Sequence, residues 1–400
     1  MDSPRPRKVL FVINVMAMLG GAEVQLGTLA KGLTRIGYEA KIACISHGHG
    51  DLSSLTETGI EIVELGYRKR SQRWRAIPKL TRMAREADVV HCTMWDPSLW
   101  GRIAAILARR PVIVADHATD RSVQVAASGK PRARWIALHN RLLDRFTFAT
   151  VACAATQRPI LLSEGVSAEK IVHIPNGISV DDIVARAGGV SRAEIGVPEG
   201  APMALQVGIF RFEKNQKGAV EAFARVREQL PDAHLVFAGY GPTEEEVERR
   251  AAEFGAGEWA HFLGERGDVP ALLAIADTML LPSLGDTMPM TVLEAMAIGR
   301  PVLATDVGDV RKTLDGAGVC IEPADPEALV AGIVAMLTDA DERARLGAVG
   351  QERARLFDSA TMVRSYDSLF EAALSGAEPR SAWLPQDELE TGQDEVKAAA

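Results

Sequence analysis

Hydrophobic residues along the chain come in short runs that alternate with amphipathic helical stretches. The run "KVLFVINV" precedes a glycine loop and the helical stretch "EVQLGTLAKGLTRIG", and "EAKIACIS" follows. Strands that are apolar on both faces and alternate with helices are typical of a parallel sheet covered by helices. This first sheet is extended by the runs "IEIVEL", "DVVHCT", "PVIVAD", "FATVACA" and "KIVHIPNG".

The alternation restarts after a Gly- and Pro-rich linker near residues 184–202, with "MALQVGIF", "HLVFAGYG", "WAHFLG", "TMLLPS", "PVLATD" and "GVCIEP". A chain of 400 residues usually divides into two domains. We therefore predict an α/β fold of two Rossmann-like doubly wound domains, residues 1–183 and 184–358, that face each other across a cleft. A helix over 359–375 follows, and the polar residues 376–400 are predicted to form a disordered acidic tail.

Charge divides the chain in the same way. Residues 1–180 hold 25 Lys and Arg against 15 Asp and Glu, a balance of +10, and the remainder holds 20 against 38, a balance of −18. Opposite balances suggest different partners for the two halves. The stretch Tyr67–Arg85 packs eight cations around Trp74, which suits an anionic membrane surface or a phosphate-linked lipid acceptor, although a solvated helix face has the same composition. No nucleic-acid motif accompanies it.

The N-terminal run could imitate a signal peptide, but the glycine loop that follows favours a buried first strand. No apolar run approaches the ~18–20 residues of a membrane span. The four cysteines (Cys44, Cys92, Cys153 and Cys320) lie far apart, so we expect four buried thiols in a reducing cytoplasm.

Candidate chemistry concentrates in the block from Leu281 to Asp306. Pro289 predicts that a helix begins near Met290. The free N–H groups at the start of this helix would face the cleft, where they could bind a phosphate. Glu294, one turn inside the helix, can accept hydrogen bonds from ribose hydroxyls, and Asp286 can reach a group beyond the phosphates. This arrangement predicts a nucleotide-sugar site. The alternative is a surface turn with a helix acid that caps or forms a salt bridge.

Three cations, Arg211, Lys214 and Lys217, follow the strand "MALQV" in the stretch "FRFEKNQK". Cations at the C-terminal end of a strand could neutralise a diphosphate without a metal ion. A solvated basic loop is the alternative. The sequence contains no DxD-type metal motif at a strand end, so we expect neither a metal nor another cofactor.

Glycines and histidines mark the first half of the cleft. Gly20 and Gly21 end the first strand region and allow close approach of an anion to a helix start, without the GxGxxG fingerprint of a nicotinamide site. His91 and His117 lie at strand ends, where a histidine can contact a sugar or shuttle a proton, or can serve the core instead.

Together these motifs resemble the retaining GT-B glycosyltransferases of glycosyltransferase family 4 over residues 8–375. The block Leu281–Asp306 is similar to the family's "PS…E-x7-E-A-M-A-x-G-x-P-V" signature, and "IPNGI", "GGAE" and "FRFEKN" match in order and spacing. The sequence departs from the family pattern in three places: Asp286 stands where Glu is usual, Thr93 replaces a frequent second histidine, and Ile209 follows Gly208 in place of the commoner Arg.

The resemblance implies a role for each candidate residue. Glu294 would hold the ribose, Arg211 and Lys214 the diphosphate of the leaving nucleotide, and His117 the donor sugar near its reacting carbon. Gly20 and Gly21 would contact the diphosphate or the acceptor, and Arg266 would mark the loop that contacts the base. Asp286 would bind sugar hydroxyls together with backbone N–H groups of the segment from Thr287 to Met290, which also contains Met288 and Pro289.

The resemblance also implies an activity, the metal-independent transfer of a sugar, with retained configuration, from a UDP- or GDP-linked donor. The acceptor would be a glycan or lipid-linked molecule in cell-surface polysaccharide or glycolipid synthesis, at the cytoplasmic side of the plasma membrane. The C-terminal helix would cross back onto the first domain. Two alternatives remain: a GT-B-fold sugar-nucleotide epimerase and a non-catalytic nucleotide-sugar-binding protein.

Overall fold

The computed structural model describes residues 5–18, 20–48, 50–117 and 133–379, with backbone alone for 133–135. Two parallel sheets form its framework. The first has seven strands: β1 Lys8–Ile13, β2 Glu39–Cys44, β3 Glu61–Glu64, β4 Val89–Thr93, β5 Val112–Asp116, β6 Ala149–Ala152 and β7 Ile171–His173. The second has six: β8 Met203–Val207, β9 His234–Ala238, β10 Ala260–Phe262, β11 Thr278–Leu281, β12 Val302–Thr305 and β13 Gly318–Ile321.

Helices connect the strands of each sheet. Those of the first half are α1 Gly21–Arg35, α2 Ser53–Thr56, α3 Ile77–Glu86, α4 Trp95–Ala108, α5 Ala133–Leu143, α6 Gln157–Ser163 and α7 Val180–Ala185. Those that follow are α8 Gln216–Val226, α9 Glu244–Glu253, α10 Val269–Ile275, α11 Met290–Ile298, α12 Val310–Leu314, α13 Pro326–Thr338, α14 Ala340–Ala354 and α15 Ser359–Ser375.

The strand order is β3-β2-β1-β4-β5-β6-β7 in the first sheet and β10-β9-β8-β11-β12-β13 in the second. In both, the order reverses beside the first strand of the sheet, which is where ligands bind in doubly wound α/β folds. Every strand predicted from an apolar run is present, and the predicted α/β architecture is confirmed. The tail predicted for 376–400 lies outside the described residues from residue 380 on.

Helix α15 packs against the first sheet. Val363 fills the space beside Gly32 of α1, where an added Cβ would lie 2.2 Å from Val363 Cγ2. The Tyr38 hydroxyl donates a hydrogen bond of 2.7 Å to the Asp367 carboxylate. The rings of Tyr366 and Phe370 meet His91 edge to face.

His91 is therefore a core residue. Its side chain is buried, and burial lowers the pKa of the imidazole to about 3, which keeps the ring neutral. Of the two alternatives that the strand-end position left open for His91, the structure supports a place in the core.

One apolar cluster contains residues from both halves of the chain. Cys153 and Ala154, which follow β6, pack together with Met288, Met290 and other apolar residues of α11. The cysteines form no disulfide; three are buried, and Cys320 is half-buried, contrary to the expectation of four fully buried thiols, because β13 is an edge strand. Within the described ranges, no helix combines the length and apolarity needed to cross a bilayer.

Candidate active site

Two loops at the C-terminal ends of β8 and β11 are joined by hydrogen bonds. The backbone N–H of Leu284 donates to the Glu213 carbonyl at 2.8 Å, and the Asn215 amide donates to the Pro282 carbonyl at 3.0 Å. Asn215 adopts a left-handed conformation with φ of 53°, which turns the chain from the loop into α8. Gln206 on β8 holds the Lys214 carbonyl at 2.9 Å. The basic loop and the acidic loop therefore form one unit.

Lys214 and Asp286 meet in this unit. The Lys214 ammonium forms an ion pair with Asp286 Oδ2, and Asp286 Oδ1 accepts a hydrogen bond of 3.0 Å from the Thr287 N–H. The carboxylate is 10% exposed and the ammonium 25%. Both carboxylate oxygens are therefore engaged, so a donor sugar that reaches Asp286 must share it with Lys214.

Helix α11 begins at Met290, as Pro289 predicted, and carries no side-chain cap. The N–H groups of its first turn thus keep hydrogen-bonding capacity for a ligand. The predicted row of donors from Thr287 to Met290 is shorter than expected, because Pro289 has no N–H and the Thr287 N–H is bonded to Asp286. Among the residues that the structure describes, no hydrogen-bond partner is found for the N–H groups of Met288 and Met290, which are therefore candidates to bind a ligand.

Glu294 lies one turn inside α11 and is half-buried. It forms no hydrogen bond or ion pair within the described residues, and burial raises the pKa of its carboxyl to about 7, with the charge of Arg186 acting in the opposite direction. An acceptor without a protein partner, held one turn inside a helix, is suited to bind ligand hydroxyls.

Arg186 is a residue that the sequence analysis missed. It follows α7 in the linker, donates a hydrogen bond of 2.8 Å to the Gly267 carbonyl, and acts electrostatically on Glu294. It therefore lies between the Arg266 loop and α11. Nothing in the Gly- and Ala-rich stretch around it distinguished it from a linker cation.

The side chains of Arg266 and Arg211 differ in how closely an acidic residue pairs with them. Arg266 forms a two-pronged pair with Asp268 at 2.8 and 2.5 Å, which raises the pKa of the guanidinium and occupies this side chain within its own loop. Arg211 has a side chain that is 54% exposed and lies 3.9 Å from Glu213 Oε1. Lys217 forms an ion pair with Glu246 on α9 at 3.1 Å.

Helix α1, which begins after Gly20, starts close to the first residue of α11. Gly20 caps α1 in an extended conformation with φ of −92°, and an added Cβ on Gly21 would lie 3.4 Å from Met290 Cγ. This is an ordinary van der Waals distance, so the start of α1 lies beside the start of α11 and the space there would accept a methyl group.

His117 follows β5 on the first half of the cleft. It is half-buried, and desolvation lowers the pKa of its imidazole to about 4, so the ring is neutral near pH 7. Among the described residues, no hydrogen bond or ion pair joins His117 or Arg266 to Lys214 or Asp286.

The basic stretch Tyr67–Arg85 forms a turn of 3-10 helix, Arg70–Ala76, followed by α3. Trp74 is 56% exposed. Arg70 stacks over the Trp95 ring at 4.8 Å and pairs with Asp96 at 3.2 Å, and Trp95 meets His139 of α5. The outer face of α5 and the turn after it exposes Leu138, Leu142 and Phe146. Basic and apolar side chains thus occupy neighbouring elements.

Comparison with protein families gives two matches that together span most of the chain. Residues 19–182 match "Glycosyltransferase Family 4" and residues 190–353 match "Glycosyl transferases group 1". The chain is 27% identical to EpsD of Bacillus subtilis over 300 residues, 72% of this chain and 77% of that protein. It is 26% identical to the phosphatidyl-myo-inositol mannosyltransferase of Mycolicibacterium smegmatis over 377 residues, 89% of this chain and 92% of the relative.

Among solved structures, the fold is similar to that of Anabaena Alr3699/HepE in complex with UDP and glucose, with a TM-score of 0.78 and 20% identity. The match covers 92% of this chain and 100% of that one. The two family matches correspond to the two sheets and meet at the linker before β8. The chain is an enzyme with the GT-B fold and belongs to the group 1 glycosyltransferases.

Proposed function

We propose that this glycosyltransferase moves a sugar from a nucleotide-sugar donor, UDP- or GDP-linked, to a glycan or lipid-linked acceptor, with retained anomeric configuration. The oxygen of the acceptor hydroxyl forms a bond to the anomeric carbon and loses its proton. The bond from that carbon to the diphosphate breaks, and the nucleoside diphosphate leaves with the electron pair and takes up that proton. Polysaccharide or glycolipid synthesis is the proposed process. Support comes from the phosphatidyl-myo-inositol mannosyltransferase and from the UDP-bound HepE structure.

The observation that carries this proposal is the convergence of Lys214, Asp286 and the start of α11 at one edge of the second sheet. A diphosphate placed there gains charge as it leaves, and preorganised donors and cations stabilise such charge. Lys214 and Arg211 supply the cations, and the N–H groups of Met288 and Met290 supply the donors. With these groups in place, we propose that no metal ion is required.

The other site residues have complementary roles in the proposal. Glu294 accepts hydrogen bonds from the ribose hydroxyls, and its raised pKa shows how little the protein itself stabilises its charge. The backbone of the Arg266 loop contacts the base. Asp286 accepts from a hydroxyl of the donor sugar, and neutral His117 donates to that sugar from the opposite half of the cleft.

We further propose that the surface from Tyr67 to Arg85 rests on an anionic membrane. The cytoplasmic leaflet carries a negative potential that attracts basic segments, and an exposed Trp suits the headgroup region. Exposed Trp74 among eight cations supports this contact, and the apolar side chains Leu138 and Leu142 of the neighbouring α5 extend it. A lipid-linked acceptor would then be delivered to the cleft from the bilayer, at the cytoplasmic side.

The proposal is tested by nucleotide release from purified protein across UDP-, GDP- and ADP-sugars, with and without a membrane lipid extract. Release from one donor that rises with the extract supports it, and proton NMR of the product then gives the anomeric configuration. Conversion of the donor to an isomer without nucleotide release would support an epimerase instead.

A further inference from the structure

Asp309 joins the two halves of the molecule directly. It precedes α12 in the second half, and its side chain is buried. Its carboxylate accepts hydrogen bonds from the backbone N–H groups of Ala155 at 2.5 Å and Thr156 at 3.1 Å, in the loop after β6 of the first sheet. Within the described part of the chain, no Lys or Arg pairs with it. A buried carboxylate is costly unless it is hydrogen-bonded, so these two N–H groups are its main compensation.

The same residue holds the loop Asp286–Pro289, here called the donor loop. The N–H of Asp309 donates to the Thr287 carbonyl at 2.9 Å. Gly308, with φ of 56°, passes so close beneath the loop that an added Cβ would lie 2.3 Å from the Thr287 carbonyl oxygen and 2.5 Å from that of Asp286. Asp309 therefore contacts the first half with its side chain and the donor loop with its backbone.

A second contact from the first half reaches the same loop. Asn176, which follows β7 and is buried, donates from its side-chain amide to the Met288 carbonyl at 2.8 Å. The carbonyls of Thr287 and Met288 are thus both held, one through Asp309 and one by Asn176. The orientation of a carbonyl fixes that of the next N–H in the same peptide plane. The Met288 N–H is therefore aimed by the contact through Asp309.

We propose that Asp309 is a positioning residue that couples closure of the cleft to the shape of the donor loop. When the halves are together, the Ala155 and Thr156 N–H groups hold the Asp309 carboxylate, and the Asp309 N–H fixes the Thr287 carbonyl. When they separate, the carboxylate turns to water and the loop loses this support. The role in donor binding rests on the proposed function, whereas the coupling itself does not.

Hydrogen exchange of the unliganded full-length protein tests the coupling, with peptides covering 149–160 and 284–292. Asp309→Ala removes both acceptors, and Asp309→Asn keeps one carbonyl oxygen. We expect exchange to be ~10-fold to ~100-fold faster in both peptides of the Ala variant, and less so in the Asn variant. The matched control is Asp315→Asn, an exposed acid at the other end of α12 that pairs with Arg353 at 2.8 Å.

Two results would overturn the proposal. Faster exchange at 149–160 with unchanged exchange at 284–292 would show that Asp309 stabilises only the loop of the first half and does not act on the donor loop. Equal acceleration in the Asp315→Asn protein would assign the effect to general destabilisation. If Asp309→Ala does not fold, Asp309→Asn against Asp315→Asn gives the same comparison.

Steady-state kinetics with the donor found by nucleotide release adds a second readout. A cleft that closes less often lowers the competent fraction, so KM for the donor should rise about tenfold in Asp309→Asn while kcat at saturation changes little. A fall in kcat with unchanged KM would contradict a positioning role. Because exchange is measured without donor, failure of the proposed function leaves the exchange result standing.

Discussion

The Lys214 ammonium and the Asp286 carboxylate form an ion pair between the loops that follow β8 and β11. The pair holds the cation in place before a donor enters. A bound diphosphate would add negative charge beside Lys214, and a donor sugar would add a hydroxyl beside Asp286. The ion pair therefore links the two proposed functions of the site, since a change at either residue should alter the other.

Asp286→Asn should lower kcat about 10²–10³-fold, because it removes a preorganised carboxylate and the partner that orients Lys214. Asp286→Glu keeps the charge on a side chain one methylene longer and should retain activity within about tenfold of the wild type. Steady-state kinetics of both variants checks this prediction. Equal losses in the two variants would contradict this prediction, because they would show that the site requires the length of the side chain as much as its charge.

The pH dependence of donor binding should report Glu294. Its pKa is raised from the ordinary 4.5 to about 7 in the folded protein, and hydroxyl donors favour the ionised form. KM for the donor should therefore rise as pH falls below about 7, and Glu294→Gln should bind more weakly at pH 8 with little dependence on pH. The same profile in both proteins would place the titrating group elsewhere.

The raised pKa of Glu294 also predicts how stability depends on pH. Donor binding should strengthen as pH rises, whereas the stability of the unliganded protein should fall. Between about 4.5 and about 7 the unfolded chain releases the Glu294 proton while the folded protein retains it, so this carboxyl makes the unliganded protein less stable as pH rises through that window. Glu294→Gln should remove that part of the slope. Urea unfolding at several pH values measures it, and an unchanged slope would contradict the raised pKa.

His117 and His91 should respond differently to substitution. His117→Ala should lower kcat about 10-fold to 100-fold with little effect on unfolding, because in the proposal this half-buried ring donates to the donor sugar. His91→Phe fills the same aromatic cluster and should retain most activity, at a cost in stability of about 1–3 kcal/mol for the larger ring. Kinetics and thermal unfolding separate the two. Loss of activity in a stably folded His91→Phe variant would indicate that His91 takes part in the active site.

The proposed membrane contact predicts binding to vesicles that contain phosphatidylglycerol and weaker binding to phosphatidylcholine alone. Trp74→Ala should reduce sedimentation with the anionic vesicles several-fold. Leu356→Ala is the matched control, since Leu356 is 57% exposed, as Trp74 is at 56%, but lies in the second half. Equal binding by both variants and the wild type would contradict a role for Trp74.

The extent to which the sequence predicted this structure follows from the range of the interactions concerned. Strands such as Val302–Thr305 and the start of α11 at Met290 depend on local apolar runs and on Pro289, so they were predicted correctly. The interior position of His91 was left open, because a strand-end histidine is compatible with either face and the deciding contact comes from Tyr366 of α15, far along the chain.

The contacts across the cleft were not predicted for the same reason. Asp309 lies 154 positions from Ala155, and the Asn176 amide lies 112 positions from the Met288 carbonyl. No local pattern marks an acid whose partners are backbone N–H groups of another sheet. Asn176 belonged to the recognised stretch "IPNGI", but neither its composition nor its spacing indicated the donor loop as its partner.

The role proposed for Lys214 is to stabilise the charge of the leaving nucleotide without a metal ion. The most direct measurement compares nucleotide release by wild type, Lys214→Ala and Lys217→Ala, each treated with EDTA, on the donor that the screen identifies. We expect undiminished release by EDTA-treated wild type, near-normal release by Lys217→Ala, and a loss of about 10²–10³-fold in Lys214→Ala. Release that EDTA abolishes, or that survives intact in Lys214→Ala, would contradict it.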